Sequence, residues 1–435
     1  MGPGARETSR APFLSGEDRV SAAWHNLRID IGRLRADIET LSKIGRAPDG
    51  NLTRHAFAPG YEEARQWLKS RFAAAGIAAR DDAAGNTLGR VGPATGPTVM
   101  SGSHIDTVPD GGPLDGAFGV LAALEVARVI KEAGINPPKA FEAVAFIDEE
   151  GRYLDCTGSK AVTGALDLAR VATAKAPDDT KLTDAMTAAG FDPAKLPEAK
   201  RKKGEIAAYL ELHIEQGPVL EAKGLPIGIV TGIVGVDHSD FTFYGEPDHA
   251  GTTPMDLRKD AFTGMCEFVA RMRKMVLRRG TPYTRLTYGI VKSKSAAANI
   301  VPYEIYVKQE LRDTDQKLVN KLVKASYRLA DKVAAEYRLR VTHTHTTGNT
   351  AALMAPAVMD TIEESAKALG LPAHRMPSGA GHDAQVIARV ADAGMIFVPS
   401  EGGRSHRRDE WTDWALLEKG ANVLLQSVLR LMHKA

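Results

Sequence analysis

Two cysteines among 435 residues, Cys156 and Cys266, supply no disulfide framework. That scarcity excludes a small stapled secreted scaffold and points to a reducing compartment, so the expected location is the cytoplasm. Neither sign of charge is in excess: 56 Lys and Arg oppose 54 Asp and Glu, a formal net charge of +2. Such a balance gives no electrostatic case for nucleic acid or an anionic membrane as partner. The one dense basic run, "KRKKGE" from Lys200, lies between polar segments and reads as a solvated loop. No apolar run approaches the roughly 18 residues of a membrane span. The N-terminal "MGPGARETSRAPFLSGEDR" lacks the apolar centre of a secretory leader. Internal repeats are missing, and so is the short HExxH signature of the zinc peptidases.

What is present is apolar material, 43% of the chain, enough for a large core and more than one domain. Leu27, Ile31, Leu34, Ile38 and Leu41 recur at helical spacing. Further helices are expected at Tyr61–Ala75, Ala117–Ala133 and Pro356–Leu369. Between them, "TVMSGSH", "AFEAVAFIDEE", "EIAAYLELHIEQGP" and "GMIFVPS" are continuous apolar runs of the kind a parallel sheet buries. From about Val230 the texture changes. "HSDFTFYGE", "RLTYGIV", "EIYVKQELRD" and "RLRVTHTHT" read as strands, and Ala261–Arg278 and Gln316–Tyr337 as helices. The expected class is therefore α/β: a mostly parallel sheet with helices on both faces, built from residues 1–230 and 347–435. A small α+β domain is inserted at 231–346.

In open α/β sheets, ligands bind at the carboxyl ends of the strands. Four apolar runs here end in side chains able to hold a metal. They deliver His104 and Asp106; Asp148, Glu149 and Glu150; His213 and Glu215; and Glu401 and His406. A single histidine after a strand is commonly a hydrogen-bonded structural residue. Four strand ends with one chemistry are another matter, because burying several carboxylates without a cation is expensive. Imidazole and carboxylate together suit Zn²⁺, Mn²⁺, Co²⁺ or Ni²⁺, and the lack of a cysteine cluster argues against a structural zinc site. Two ions sharing one carboxylate account for so many ligands. Spacing alone separates neither Glu149 from Glu150 nor Asp106 from Asp115.

The segments "GSHIDTVPDGGPLDGAFGV", "DEEGRY", "ELHIEQGPVLE", "HAGTTPMDLRKDA", "NIVPYEIYVKQELRD", "PSGAGHDAQ" and "GGRSHRRDE" occur in this order between Arg54 and Trp411. They resemble the successive motifs of the hydantoinase/carbamoylase family of dinuclear metallo-amidohydrolases. That family lies within the aminoacylase and metallopeptidase superfamily and acts on ureido compounds. The resemblance implies two divalent metal ions per subunit, with His104, Asp115, Glu150, His213 and His406 as ligands and Asp115 shared. It implies that Asp106 orients His104 and that Glu149 is the general base. It makes the inserted domain, ferredoxin-like in fold, a lid and a dimerisation surface, and so predicts a homodimer. Substrate contacts implied are Gln216, His249, Asn299, Arg312, Gly379, Ala380 and His382, with Asp383 orienting substrate or ligand. The activity implied is hydrolysis of the carbamoyl C–N bond of an N-carbamoyl-L-amino acid. Allantoate, ureidoglycolate and 3-ureidopropionate stand as alternative substrates, and a metal-free binding protein as an alternative of another class. Two departures from the pattern are a short segment, "RYLDCTGS", after Glu150, and Arg407-Arg408 after His406. His343 and His345, on one face of a strand, read as solvent-facing.

Overall fold

The four continuous apolar runs become the middle of one sheet. They are β3 (Thr98–His104), β4 (Ala140–Phe146), β5 (Ile206–Ile214) and β13 (Asp392–Val398), and their residues are buried almost throughout. In the computed structural model, which describes residues 24–294 and 297–434, these strands lie side by side as β4-β3-β5-β13, all parallel. The N-terminal stretch read for a leader lies outside the described residues. Shorter strands complete the sheet: β1 (Ala79–Asp81), β2 (Thr87–Val91), β6 (Ile227–Ile233), β11 (Ala352–Leu353) and β12 (Ala373–Ser378). The order is β1-β2-β4-β3-β5-β13-β6-β11, with β12 beside β6. The additions are mixed: β2 joins β4 and β6 joins β13 antiparallel, while β12 runs parallel to β6. The sheet is thus parallel where it is most deeply buried and mixed toward its edges, as expected of strands with both faces covered only at the centre.

Helix ends follow local chemistry. Asp30 caps α1 (Ile31–Leu41) by accepting the Arg33 N–H at 3.0 Å, and Pro59 opens α2 (Pro59–Ala74). In α3 (Ala117–Glu132) residues 117–130 are all buried, so this helix is covered all round. It packs on β3, β4 and β5, with α6 (Trp414–His433) against it and against β13. Phe118, Val120, Leu121, Leu124, Leu424 and Val428 belong to the single large core that results.

The second sheet takes the order β10-β7-β9-β8, wholly antiparallel, from β7 (Gly235–Tyr244), β8 (Arg285–Ser293), β9 (Glu304–Asp313) and β10 (Arg340–Asn349). With α4 (Ala261–Arg279) and α5 (Gln316–Glu336) this makes a ferredoxin-like βαββαβ unit. Alternation decides its faces. Phe241, Phe243, Ile305 and Val307 pack on Phe268 and Val333 of the two helices. Val236, His238, Glu310 and Arg312 occupy the other face. Strand β6 keeps the chain in the large sheet to Ile233, and β10 keeps it in the small sheet to Asn349. Each end is three residues beyond the changeover expected from texture.

Candidate metal centre and active site

Adjacent parallel strands bring their carboxyl ends together, and those ends carry the predicted ligands. His104 is the last residue of β3 and His213 the penultimate residue of β5; Glu149 and Glu150 follow β4, and His406 follows β13. Asp115 comes from the loop entering α3. Its carboxylate is central: Oδ1 lies 3.1 Å from His213 Nε2 and 4.0 Å from His104 Nε2, and Oδ2 lies 3.0 Å from His406 Nε2. His406 Nε2 is also 3.8 Å from Glu150 Oε2. Two three-residue groups able to hold a metal result, His104–Asp115–His213 and Asp115–Glu150–His406, with Asp115 in both. Gly116 permits this crowding: a Cβ there would sit 2.4 Å from the His104 ring, at a backbone φ of +63°. Non-glycine residues in the left-handed region gather here as well, at Asp148, Cys156, Gln216 and His406, with φ between 51° and 58°.

The ring orientations are set by main-chain oxygens. A carbonyl can only accept, so His104 Nδ1 donates to Asp106 O at 3.0 Å and His213 Nδ1 donates to Ile214 O at 2.8 Å. Both Nε2 atoms are then turned toward Asp115, that of His213 lying 3.1 Å from the Gly116 N–H as well. The Asp106 carboxylate, at 3.8 Å from His104 Nδ1, instead accepts the Glu150 N–H at 3.1 Å. Asp106 thus meets His104 through its backbone and the following loop through its side chain. Asp115 is pinned from another side by residues that spacing did not reveal. Glu410 accepts the N–H groups of Leu114 and Asp115 at 3.0 and 2.9 Å, and Ser405 bridges its carboxylate to Asp115 Oδ2 at 2.9 and 3.1 Å. Gln216 Nε2 donates to Asp115 Oδ2 at 3.0 Å. The one sequence signal for Glu410 is its place four residues after His406. Asp148 was read as a strand-end ligand, yet it is turned inward, accepting from Tyr153 N, Leu154 N and Thr157 Oγ1.

Burial dominates the electrostatics. It raises Glu150 to about 8, helped by the charge of Asp115, and raises Asp106 to about 6. Glu149 is pushed well above the usual carboxylate range by burial and by Glu150 next to it. Burial lowers His104 to about 4. It acts the same way on His213, but the hydrogen bond to Asp115 prevails and lifts that imidazole to about 9. His406 rises to about 9, chiefly through its hydrogen bond to Asp115. Three buried oxygens in this cluster, Asp106 Oδ1, Glu150 Oε1 and Gln216 Oε1, have no hydrogen-bond partner among the described residues. Buried carboxyl groups crowded against three imidazoles, with oxygens left over, are what a divalent cation satisfies. The residues present fit one ion in each group.

These side chains line a cavity of about 250 Å³ together with Glu149, Cys156, Gln216, Arg312, Ala380 and His382. Glu149 Oε2 is 3.6 Å from His104 Nε2, and the Cys156 thiol donates to Glu149 Oε1 at 3.7 Å. Arg312 reaches across from the small sheet, donating to Gly379 O at 2.8 Å and to Glu310 Oε1 at 2.8 Å. His382 is buried edge-on to His213, its Nε2 2.9 Å from Ser378 Oγ. Asp383 is fully buried beside Ser159, outside the cavity wall. Gly379 lines the neighbouring cavity rather than this one. His249 and Asn299 adjoin each other, Ala250 donating to Asn299 O at 2.9 Å, but both are exposed and outside the cavity wall. Arg407 pairs with Asp409 and Arg408 reaches Asn51, so neither turns inward. His343 and His345 pair with Asp331 and Asp237 of the small domain.

An open α/β sheet whose strand ends share one carboxylate between two histidine-bearing groups is the arrangement of a metal-dependent hydrolase. Peptidase family M20/M25/M40 matches residues 100–430. N-carbamoyl-L-amino acid amidohydrolase of Geobacillus stearothermophilus is 37% identical over 404 residues, 92% of this chain and 98% of that protein. Allantoate amidohydrolase of Escherichia coli is 36% identical over 394 residues, 88% and 94% of the two chains. The crystal structure of a hydantoinase/carbamoylase family amidase from Burkholderia multivorans superposes with a TM-score of 0.86. It is 30% identical and covers 94% of this chain and 99% of its own. The chain belongs to Peptidase family M20/M25/M40 and, within it, to the hydantoinase/carbamoylase amidases. It is a hydrolase of carbon–nitrogen bonds.

Proposed function

We propose that the enzyme hydrolyses the carbamoyl C–N bond of an N-carbamoyl-L-amino acid, releasing the L-amino acid, ammonia and carbon dioxide. The observation that carries the reading is Asp115, with oxygens 3.1 Å from His213 and 3.0 Å from His406, shared between two ligand groups. His104, Asp115 and His213 would hold one divalent ion and Asp115, Glu150 and His406 another, and such ions would supply Lewis-acid polarisation of the ureido carbonyl and lower the pKa of water. Glu149 takes the proton of the attacking water and returns it to the leaving nitrogen. Its raised proton affinity and its place in the cavity suit both transfers. The Cys156 thiol fixes one Glu149 oxygen, leaving the other turned to the cluster.

Arg312, a planar fork at the cavity wall, is the clamp for the substrate carboxylate. Gln216, Ala380 and His382 complete the polar shell. His249 and Asn299 serve the developing oxyanion once the small sheet closes over the site. Their exposed position is the reason closure belongs to the reading. The same small sheet provides the surface of a homodimer, which light scattering in solution tests.

The deciding experiment scores ammonia release by metal-stripped enzyme reloaded with Mn²⁺. N-carbamoyl-L-amino acids, allantoate, ureidoglycolate, 3-ureidopropionate, N-acyl amino acids and dipeptides are offered in parallel. Turnover of the first class supports the reading. Turnover of allantoate or another ureido acid alone moves it to that substrate, and hydrolysis confined to N-acyl amino acids or dipeptides overturns it.

A further inference from the structure

Beside the 250 Å³ cavity at the cluster lies another of about 440 Å³, and the two share Gln216, Arg312 and Ala380 in their walls. Gln216 Nε2 is 3.0 Å from Asp115, so the second space begins one side chain away from the ligands. Its wall on the small sheet carries two arginines. Arg285 of β8 is the direct register partner of Arg312 of β9, and residues directly opposed on neighbouring strands share a face. Leu286 and Leu311, the next pair, turn the other way toward the helices.

Two like charges set opposite each other on adjacent strands destabilise the pairing. Glu310 offsets only one of them. It binds Arg312 at 2.8 Å and is shared with His238 at 2.9 Å, while no carboxylate among the described residues lies in ion-pair range of Arg285. The Arg285 guanidinium donates only to the main-chain oxygens of Pro282 and Thr284, at 2.8 and 3.1 Å. The rest of the wall includes Val234, Met376 and Phe397, apolar surface suited to methylene groups, and Glu215, whose carboxylate is taken up by the N–H groups of Val219 and Leu220 at 2.7 Å. A cavity with an apolar side and two guanidinium groups in its wall, the exposed one at Arg285 lacking an anion, is matched by a short chain with a carboxylate at each end.

We propose that this cavity is a subsite for the substrate side chain, and that the preferred substrate is a ureido acid with a second carboxylate on that side chain. Arg312 binds one carboxylate and Arg285 the other. The inference rests on the ureido-acid reading above and adds the charge of the side chain to it. It makes Arg285 the residue that sets specificity.

The test compares N-carbamoyl-L-glutamate with N-carbamoyl-L-glutamine, and the aspartate compound with the asparagine compound, as pairs of equal size and different charge. The expected result is kcat/KM about 10–100-fold higher for each dicarboxylate, the size of a lost charge-assisted bond. In Arg285→Gln that ratio collapses toward unity. A wild-type ratio of one or less, or a ratio unmoved by Arg285→Gln, overturns the proposal. If no ureido compound is hydrolysed, the reading of the function has failed, and a second measurement judges the subsite alone. Calorimetric titration with glutarate and with its monoamide is expected to show at least about tenfold tighter binding of glutarate, lost in Arg285→Gln. Equal binding of the two, or glutarate binding that survives the substitution, overturns the subsite.

Discussion

Replacing Glu410 by alanine removes a side chain outside both ligand groups and the cavity wall, yet the geometry assigns it a large effect. Glu410 is 2% exposed and comes from the loop after His406, 295 residues beyond Asp115. Its carboxylate accepts from Leu114 N, Asp115 N and Ser405 Oγ. Alanine leaves two buried N–H donors without an acceptor, each costing about 1–3 kcal/mol, so the pair costs about 2–6 kcal/mol. An unfolding entropy of about 2.1 cal/mol/K per residue over 435 residues gives about 0.9 kcal/mol/K. The melting temperature should therefore fall by about 2–7 °C. Freed of two anchors, Asp115 no longer presents both oxygens in register, and loss of metal should exceed what the stability change explains. The assay is scanning calorimetry together with metal content after gel filtration, for Glu410→Ala beside Glu410→Gln. Glutamine keeps an oxygen for the two N–H groups and should restore most of the stability. A Glu410→Ala enzyme with melting temperature and metal content both unchanged would refute this account of how Asp115 is held.

Other outcomes follow from the same cluster. Glu149→Gln should lower kcat by about 10²–10⁴ with metal content retained, because the group proposed as general base is lost while both candidate ligand groups stay; elemental analysis beside the kinetics checks this. Asp115→Ala should leave no more than one ion per subunit and no measurable turnover, since the shared carboxylate lies in both groups; full activity in that variant would sink the paired-ion reading. Gly112→Ala should disturb the site from a distance, because a Cβ there falls 2.2 Å from Glu410 Oε1; reduced thermal stability with lowered metal affinity is the expected result. Metal removal should make stability fall as pH rises from about 6.5 to 8.5. Glu150 near 8, and His213 and His406 near 9, keep protons in the folded protein that the unfolded chain has released, so folding is favoured below that window and loses support through it. His104, lowered to about 4, acts oppositely but only below its ordinary 6.5. Melting temperatures of metal-free protein across this range, flattened by added Mn²⁺, provide the check; a rise with pH would count against it.

The sequence exposed the parts of this molecule whose physics is local or repetitive. The buried strands Thr98–His104, Ala140–Phe146, Ile206–Ile214 and Asp392–Val398 are apolar from end to end, and a parallel sheet covered on both sides leaves that mark. The helices Ala117–Glu132 and Gln316–Glu336 end within one residue of where their period breaks. Strands of two to five residues, Ala79–Asp81, Thr87–Val91 and Ala352–Leu353, left no periodic signal, because they exist through their partners. His104, Glu149, Glu150 and His213 were legible because they end or directly follow apolar runs, and once four strands lie in parallel their ends must meet, whereas Asp115, on the loop entering α3, was singled out only by the resemblance. The framework around them was hidden for the converse reason. Glu410, Ser405 and Cys156 act through contacts between loops distant in the chain, and nothing in "SHRRDE" or "LDCTGS" states that two main-chain donors or a neighbouring carboxylate will lie opposite. Asp106 makes the same point in reverse. Its side chain was assigned to His104, but the short reach from a strand end put the backbone oxygen there first and freed the carboxylate for Glu150 N. Residue type and spacing therefore tell which groups gather at a strand end, while the direction each one faces is settled by the donors that the rest of the fold leaves unpaired.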